Sequence, residues 1–125
     1  MMSWQMFAIL SLLGAIGAVV RYLAMELTSV RSRPWTLLAV NTVGSAVAGI
    51  ALGAAVAGAL TASSLLAVGA FAAGLTTLST LAVSVAEWSE AGHPWRGALV
   101  GAQHIALGAM FAGAGYISAS VALSA

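Results

Sequence analysis

Charged positions divide the sequence into long apolar stretches. Three stretches carry no charged residue, namely residues 1–20, 34–86 and 97–125. A membrane-spanning helix needs about 20 mainly apolar residues, so the middle stretch can hold two helices and each end stretch one. The pattern therefore predicts a single domain over residues 1–125 with four spans, at about 4–26, 35–58, 64–89 and 95–121.

The composition favours an all-α integral membrane fold. Hydrophobic residues make up 62% of the chain and charged residues only 6%, whereas about one quarter of a soluble domain is charged. The apolar segments show no strand alternation, and a helix satisfies its backbone donors and acceptors within one segment, as lipid requires. A net charge of +1 with dispersed arginines gives no basis for nucleic acid binding. The chain has no cysteine, which excludes disulfides and thiolate metal sites.

The third predicted span has a polar centre. Residues 73–81 read AGLTTLSTL, so a glycine and four hydroxyl residues lie near the middle of the bilayer. One interpretation is a broken helix, because Gly74 tolerates a departure from helical geometry and such breaks at membrane depth line ion sites. The other is an ordinary helix whose hydroxyl groups donate to the carbonyls one turn earlier.

Four further polar residues interrupt or end the spans. The amide of Asn41 could serve a desolvated anion or bond to a neighbouring helix. Arg21 could reach the headgroups or mark a polar vestibule. His104, beside Gln103, could be a proton relay or metal ligand, or a neutral hydrogen-bonded side chain. No Ser/His/Asp set, phosphate loop or metal-spaced cluster occurs, so we do not expect an enzyme.

Three segments, found in order along the first three spans, resemble the signatures of the Fluc/CrcB family of small bacterial fluoride channels. Residues 14–22 read GAIGAVVRY, residues 36–45 read TLLAVNTVGS and residues 69–81 read GAFAAGLTTLSTL. The family patterns are approximately GxxGAxxRY, a TLxxN run closing in GS, and GGxTTFSTF. The order of the segments, the chain length and the four spans make the match specific.

The resemblance implies a pore architecture. Family members form an antiparallel dimer with two narrow pores, and the third helix is broken near its centre. A structural sodium ion at the dimer centre is held by backbone carbonyls, which in this sequence belong to Ala73 and Thr76. Alanine at position 73 replaces a family glycine, which leaves the carbonyl in place and restricts the backbone.

The resemblance also implies which residues line the pore and bind the anion. Asn41, Ser79 and Thr80 would supply hydrogen-bond donors that replace the water around fluoride, and Arg21 would lie near the vestibule. Leu78 and Leu81 occupy pore positions where the family has phenylalanine. A phenyl ring offers an anion its positively polarised edge, and leucine has no comparable quadrupole. The fourth span matches no family motif, so Gln103 and His104 receive no role.

The function expected from the resemblance is that of a passive, fluoride-selective channel subunit in the cell (inner) membrane, which confers fluoride resistance by letting fluoride leave the cytoplasm. One alternative is a small four-helix multidrug or cation transporter. Such exchangers need a carboxylate inside the membrane, whereas Glu26, Glu87 and Glu90 all lie at the ends of spans. Another alternative is a non-conducting accessory subunit of a channel pair.

The arginine distribution predicts one orientation in the membrane. With four spans, Arg31, Arg33 and Arg96 lie on the same side, and the side with both termini carries no Lys or Arg. Short loops rich in Lys and Arg stay in the cytoplasm, so both termini should face outward. A fixed orientation favours an oppositely oriented homologous chain as the second subunit, although a homodimer stays open.

Overall fold

The computed structural model describes residues 3–124, which form five α-helices and a short 3-10 turn. In chain order these are α1 (Trp4–Glu26), the turn Val30–Ser32, α2 (Arg33–Val56), α3 (Ala62–Leu75), α4 (Ser79–Glu90) and α5 (Pro94–Ser124). No strand occurs within residues 3–124. Helix α2 begins at Arg33 and α5 ends at Ser124, slightly outside the predicted bounds.

Within residues 3–124, four helical segments are long and apolar enough to cross a membrane: Trp4–Glu26, Val30–Val56, Ala62–Glu90 and Pro94–Ser124. The third of these comprises α3 and α4, joined through residues 76–78. Large apolar side chains such as Phe7, Leu12 and Ile117 are exposed on the outside of the chain, as expected where the solvent is lipid. The predicted all-helical membrane fold with four spans is confirmed.

Local sequence signals set several helix ends. The Ser3 hydroxyl accepts a hydrogen bond from Met6 N at 3.2 Å, which caps α1. The Thr61 hydroxyl accepts one from Ser64 N at 3.2 Å, which caps α3. Such caps satisfy amides that have no partner in the first helical turn. After α2 the chain turns through Gly58, whose φ of +78° is unfavourable for residues with a side chain.

Small residues allow the helices to approach closely. The most extensive packing joins α2 to α5 and α1 to α3. A Cβ atom on Gly49 would collide with the backbone carbonyl of Ala112, and one on Gly74 would collide with that of Gly14. In lipid, apolar burial does not drive helices together, so this close backbone contact and its dispersion energy stabilise the pairs.

We predict that Gly49→Ala destabilises the protein, whereas Gly113→Ala does not. The added methyl at position 49 meets Ala112 backbone, and overpacking of this kind costs about 1–3 kcal/mol. A methyl group at position 113 would meet no atom of a neighbouring helix within 4 Å, so alanine there adds only helix propensity. Thermal unfolding in detergent, followed by circular dichroism, measures both variants. Equal melting temperatures would contradict the packing argument.

Candidate pore site at the helix interruption

The third apolar segment is not helical between Leu75 and Ser79. Thr76 has φ −78° and ψ 158°, an extended conformation, and α4 begins with Leu78 as its N-cap residue. Backbone amides and carbonyls near residues 76–78 therefore lack some of their usual partners along the helix. Because lipid offers no hydrogen bonds, other parts of the protein must supply those partners.

Asn41, on α2, bonds to both polar backbone groups of Thr77. Its Nδ2 donates to Thr77 O at 3.2 Å, and Thr77 N donates to Asn41 Oδ1 at 2.8 Å. The side-chain amide thus takes the place of a helical neighbour for this residue. Asn41 was expected either to serve an anion or to bond to a neighbouring helix, and in the structure it bonds to the backbone between α3 and α4. One of the two Nδ2 hydrogens takes no part in these bonds.

Arg21, near the end of α1, reaches the carbonyls of the same interruption. Its Nη1 donates to Gly74 O at 3.0 Å and to Thr76 O at 2.6 Å. The guanidinium is partly buried rather than extended away from the helices. Hydrogen bonds from a charged donor are stronger than neutral ones, so Arg21 anchors α1 to the end of α3.

Hydroxyl groups connect the interruption to the start of α4. Thr77 Oγ1 accepts a hydrogen bond from Thr80 N at 3.3 Å, donates to Thr80 Oγ1 at 3.2 Å, and lies 3.1 Å from Ser79 Oγ. Because the Thr77 hydroxyl hydrogen is directed at Thr80, the Ser79 hydroxyl is the donor in its own contact with Thr77. The hydrogen of the Thr80 hydroxyl then remains free to donate.

The two carbonyls predicted to bind sodium already accept hydrogen bonds within the chain. Ala73 O accepts from Thr76 Oγ1 at 3.3 Å, and Thr76 O accepts from Arg21 Nη1. A sodium ion on Thr76 O would lie about 5 Å or less from the guanidinium, where two positive charges repel. With Arg21 in this position, a sodium ion on Thr76 O would share that oxygen with the guanidinium.

A cavity of about 250 Å³ lies beside the interruption and opens to the surface of the chain. Its lining combines polar residues from α2, the interruption and α5 with apolar side chains: Asn41, Ser45, Thr76, Thr77, Leu78, Leu81, His104 and Ile105. The cavity brings together three of the predicted pore residues, Asn41, Leu78 and Leu81. Ser79, Thr80 and Arg21 adjoin the interruption without lining this cavity.

The two leucines differ in their surroundings. Leu78 is 78% exposed, whereas Leu81 is 7% exposed and belongs to the core. Only Leu78 therefore presents most of its side chain outside the subunit. No acidic residue is among the described residues that line the cavity, so its walls carry no carboxylate that would repel an anion.

His104 lines the cavity, although the family resemblance assigned it no role. Its side chain is 8% exposed, its Nδ1 lies 2.9 Å from Val100 O, and its buried Nε2 has no partner among the described residues. An ionisable residue inside an apolar span is a detectable signal. Its position beside Asn41 depends on how α5 packs against α2, which the spacing within one helix does not specify.

A family model described as CrcB-like protein, Camphor Resistance (CrcB), matches residues 8–116. The chain belongs to the CrcB family. The match extends over most of the sequence and includes all three motif segments, so the resemblance predicted from those segments is confirmed. No curated protein and no solved structure gave a significant match to the chain. CrcB membership supports a fluoride channel-type function in a multi-pass membrane protein and gives no ground for an enzyme.

We predict that Asn41→Ala destabilises this CrcB chain, because both Thr77 backbone groups lose their partner. Each buried polar group left unpaired costs about 1–3 kcal/mol. Ser45→Ala is the matched control, since Ser45 lines the same cavity and forms no hydrogen bond to residues 76–78 in the described structure. Thermal unfolding in detergent should show a clear decrease for Asn41→Ala and little change for Ser45→Ala. Equal stability of the two variants would show that the hydrogen bonds between Asn41 and Thr77 do not stabilise the protein.

Proposed function

We propose that this chain is a subunit of a passive, fluoride-selective channel that lets fluoride leave the cytoplasm. The observation that carries the proposal is the cavity at the interruption of a CrcB membrane domain, which has hydrogen-bond donors in its wall and no carboxylate. A passive pore needs no ionisable coupling group, and selectivity follows from the groups that line it.

Fluoride is small and strongly hydrated, so a pore must replace its water with hydrogen-bond donors. Three donors near the interruption remain available once the internal bonds are counted. They are the second Nδ2 hydrogen of Asn41, the hydroxyl of Ser45 and the hydroxyl of Thr80. Ser79 donates to Thr77 in the described arrangement and becomes a fluoride donor only if that hydroxyl rotates.

The exposed side of the cavity is an argument for a second subunit. Leu78 and Ile105 line the cavity and are 78% and 73% exposed, so a facing surface is needed to close the pore wall. We propose that an antiparallel homologous chain covers this side and supplies the phenyl edges that Leu78 and Leu81 lack. Anions interact with the positively polarised edge of such rings.

We include a central sodium ion in the proposal only if it can bind beside Arg21 or if Arg21 moves. Arg21 Nη1 uses one of the two lone pairs of Thr76 O, so a sodium ion on that oxygen would lie beside the guanidinium unless Arg21 moves. In the chain on its own, the guanidinium donates to Gly74 O and Thr76 O, whereas Ala73 O accepts from the Thr76 hydroxyl. Fluoride flux in sodium-free solution distinguishes the two cases, because a required sodium ion predicts lost flux.

The positions of the acidic residues argue against a proton-coupled multidrug or cation transporter. Glu26 and Glu90 are the last residues of α1 and α4, and Glu87 is within the last turn of α4. None of them lines the cavity at the interruption. A non-conducting accessory subunit is distinguished by flux measurements on the chain alone and with a homologous partner.

We predict that liposomes containing the functional assembly release fluoride and retain chloride. Thr80→Val should reduce fluoride efflux about tenfold, since one hydrogen bond to an ion is lost. Thr28→Val is the matched control, because that hydroxyl donates to Ala24 O in α1 and lies away from the hydrogen bonds at the interruption. Ion-selective electrodes measure both anions. Equal fluoride and chloride fluxes would refute the proposed selectivity, and unchanged flux in Thr80→Val would remove Thr80 from the pore.

The orientation proposal follows from the ends of the helices. Arg31 lies between α1 and α2, Arg33 is the first residue of α2, and Arg96 is in the first turn of α5, so alternation of the spans places all three on one side. Arg33 pairs with Glu26 at 3.5 Å, and Arg96 lies 5.6 Å from the centre of the Trp88 ring. We propose that this side is cytoplasmic and that both termini face outward.

We predict a single orientation, measured with cysteines introduced as Ser3→Cys and Ser29→Cys. The natural chain has no cysteine, so each variant has one labelling site. In intact cells an impermeant maleimide should label position 3 and not position 29, and permeabilised cells should show both. Comparable labelling of both sites in intact cells would show dual orientation and would favour an antiparallel homodimer over a pair of homologous chains.

A further inference from the structure

His104 has one ring nitrogen in use and one without a partner. Nδ1 lies 2.9 Å from Val100 O, and a carbonyl can only accept, so Nδ1 carries hydrogen. In the neutral ring Nε2 then has a lone pair. This atom is buried and has no hydrogen-bond partner among residues 3–124. Buried polar atoms are rarely left unpaired, so a ligand for Nε2 is expected.

The imidazole lies between two cavities. It lines the cavity at the interruption, together with Asn41 and Ser45. It also lines a second cavity of about 320 Å³, with Ser84 and Glu87 on its α4 side. The side chains of His104, Asn41 and Ser45 therefore belong to the wall of one cavity.

The charges around the imidazole are few. On α2, the cavity residues Asn41, Ser45, Pro34 and Leu37 do not titrate. On α4, Glu87 is the ionisable group that shares a cavity with His104, and it lies in the second cavity. The residues of the interruption that line the first cavity do not titrate either. A protonated His104 would thus be the one charged side chain in the wall of the first cavity.

The geometry points to His104 as a proton-dependent fluoride ligand, in which protonated Nε2 donates to an ion also held by the Asn41 amide and the Ser45 hydroxyl. This inference rests on the proposed function and adds regulation by pH to it. The neutral ring presents a lone pair, which repels an anion and suits a water molecule. The protonated ring presents a third donor and a positive charge, so fluoride binding and proton uptake strengthen each other.

Nitrogen NMR of the full chain in lipid bilayers tests the site without any flux. The sequence has two histidines, and His93→Gln leaves His104 as the only imidazole. His93 is exposed and lies outside both cavities, so this background preserves the site. At fixed pH near 7, sodium fluoride should move the Nε2 signal toward the imidazolium position, and the same concentration of sodium chloride should not. Equal responses to both salts, or none, would overturn the inference.

Flux measurements test whether the ligand matters for transport. When the pH is lowered from about 8 to about 6, fluoride efflux through the unmodified assembly should rise about tenfold, as expected for one charge-assisted hydrogen bond. His104→Gln keeps a neutral donor and should lose the pH dependence. His104→Leu removes the protonated donor and should abolish the rise in efflux at low pH, and His93→Gln should match the unmodified protein. Protein-free liposomes at each pH correct for hydrogen fluoride that crosses the lipid.

The two readouts separate failure of this inference from failure of the proposed function. Fluoride efflux that does not vary with pH in the unmodified protein, or that retains its pH dependence in His104→Gln, would overturn the role of His104 and leave the channel proposal intact. A fluoride-specific Nε2 shift without any fluoride efflux would support the binding site and refute the channel proposal.

Discussion

The structure depends on one constraint: backbone polar groups at membrane depth must find partners inside the protein. Where the helix is interrupted at residues 76–78, those partners come from other helices. Asn41 on α2 bonds to the amide and carbonyl of Thr77, and Arg21 on α1 bonds to the carbonyls of Gly74 and Thr76. These contacts link α1 and α2 to the interruption.

Glycines make the Arg21 contact possible. Gly17 lies against the backbone of Phe71 and Leu75, and Gly74 lies against the backbone of Gly14, with no room for a Cβ atom at either glycine. Arg21 follows Gly17 by about one helical turn, so it lies on the same face of α1. The close approach of α1 and α3 therefore brings the guanidinium within hydrogen-bond distance of the carbonyls that the interruption leaves available.

The sequence contains enough information for the spans and for the identity of the polar residues, but not for their pairing. Charge-free stretches and the length of a bilayer span suffice to predict four helices, because each helix satisfies its own backbone. The bonds of Asn41 to Thr77 and of Arg21 to Thr76 join different helices. They depend on the relative rotation and register of those helices, which small-residue packing determines only in three dimensions. The same holds for the cavity beside His104.

Side chains that satisfy the backbone are only partly available to an ion. Both Nη1 bonds of Arg21 go to carbonyls, and Asn41 retains one amide hydrogen. Asn41 and Ser45 line an open cavity whose wall also includes the exposed Leu78. An ion that leaves water must be surrounded, since a half-coordinated fluoride has lost hydration without replacement. Selectivity in the proposed channel therefore depends as much on the surface that faces this cavity as on the chain itself. Because position 78 is leucine, an aromatic ring edge at this place in the pore would have to come from that facing surface.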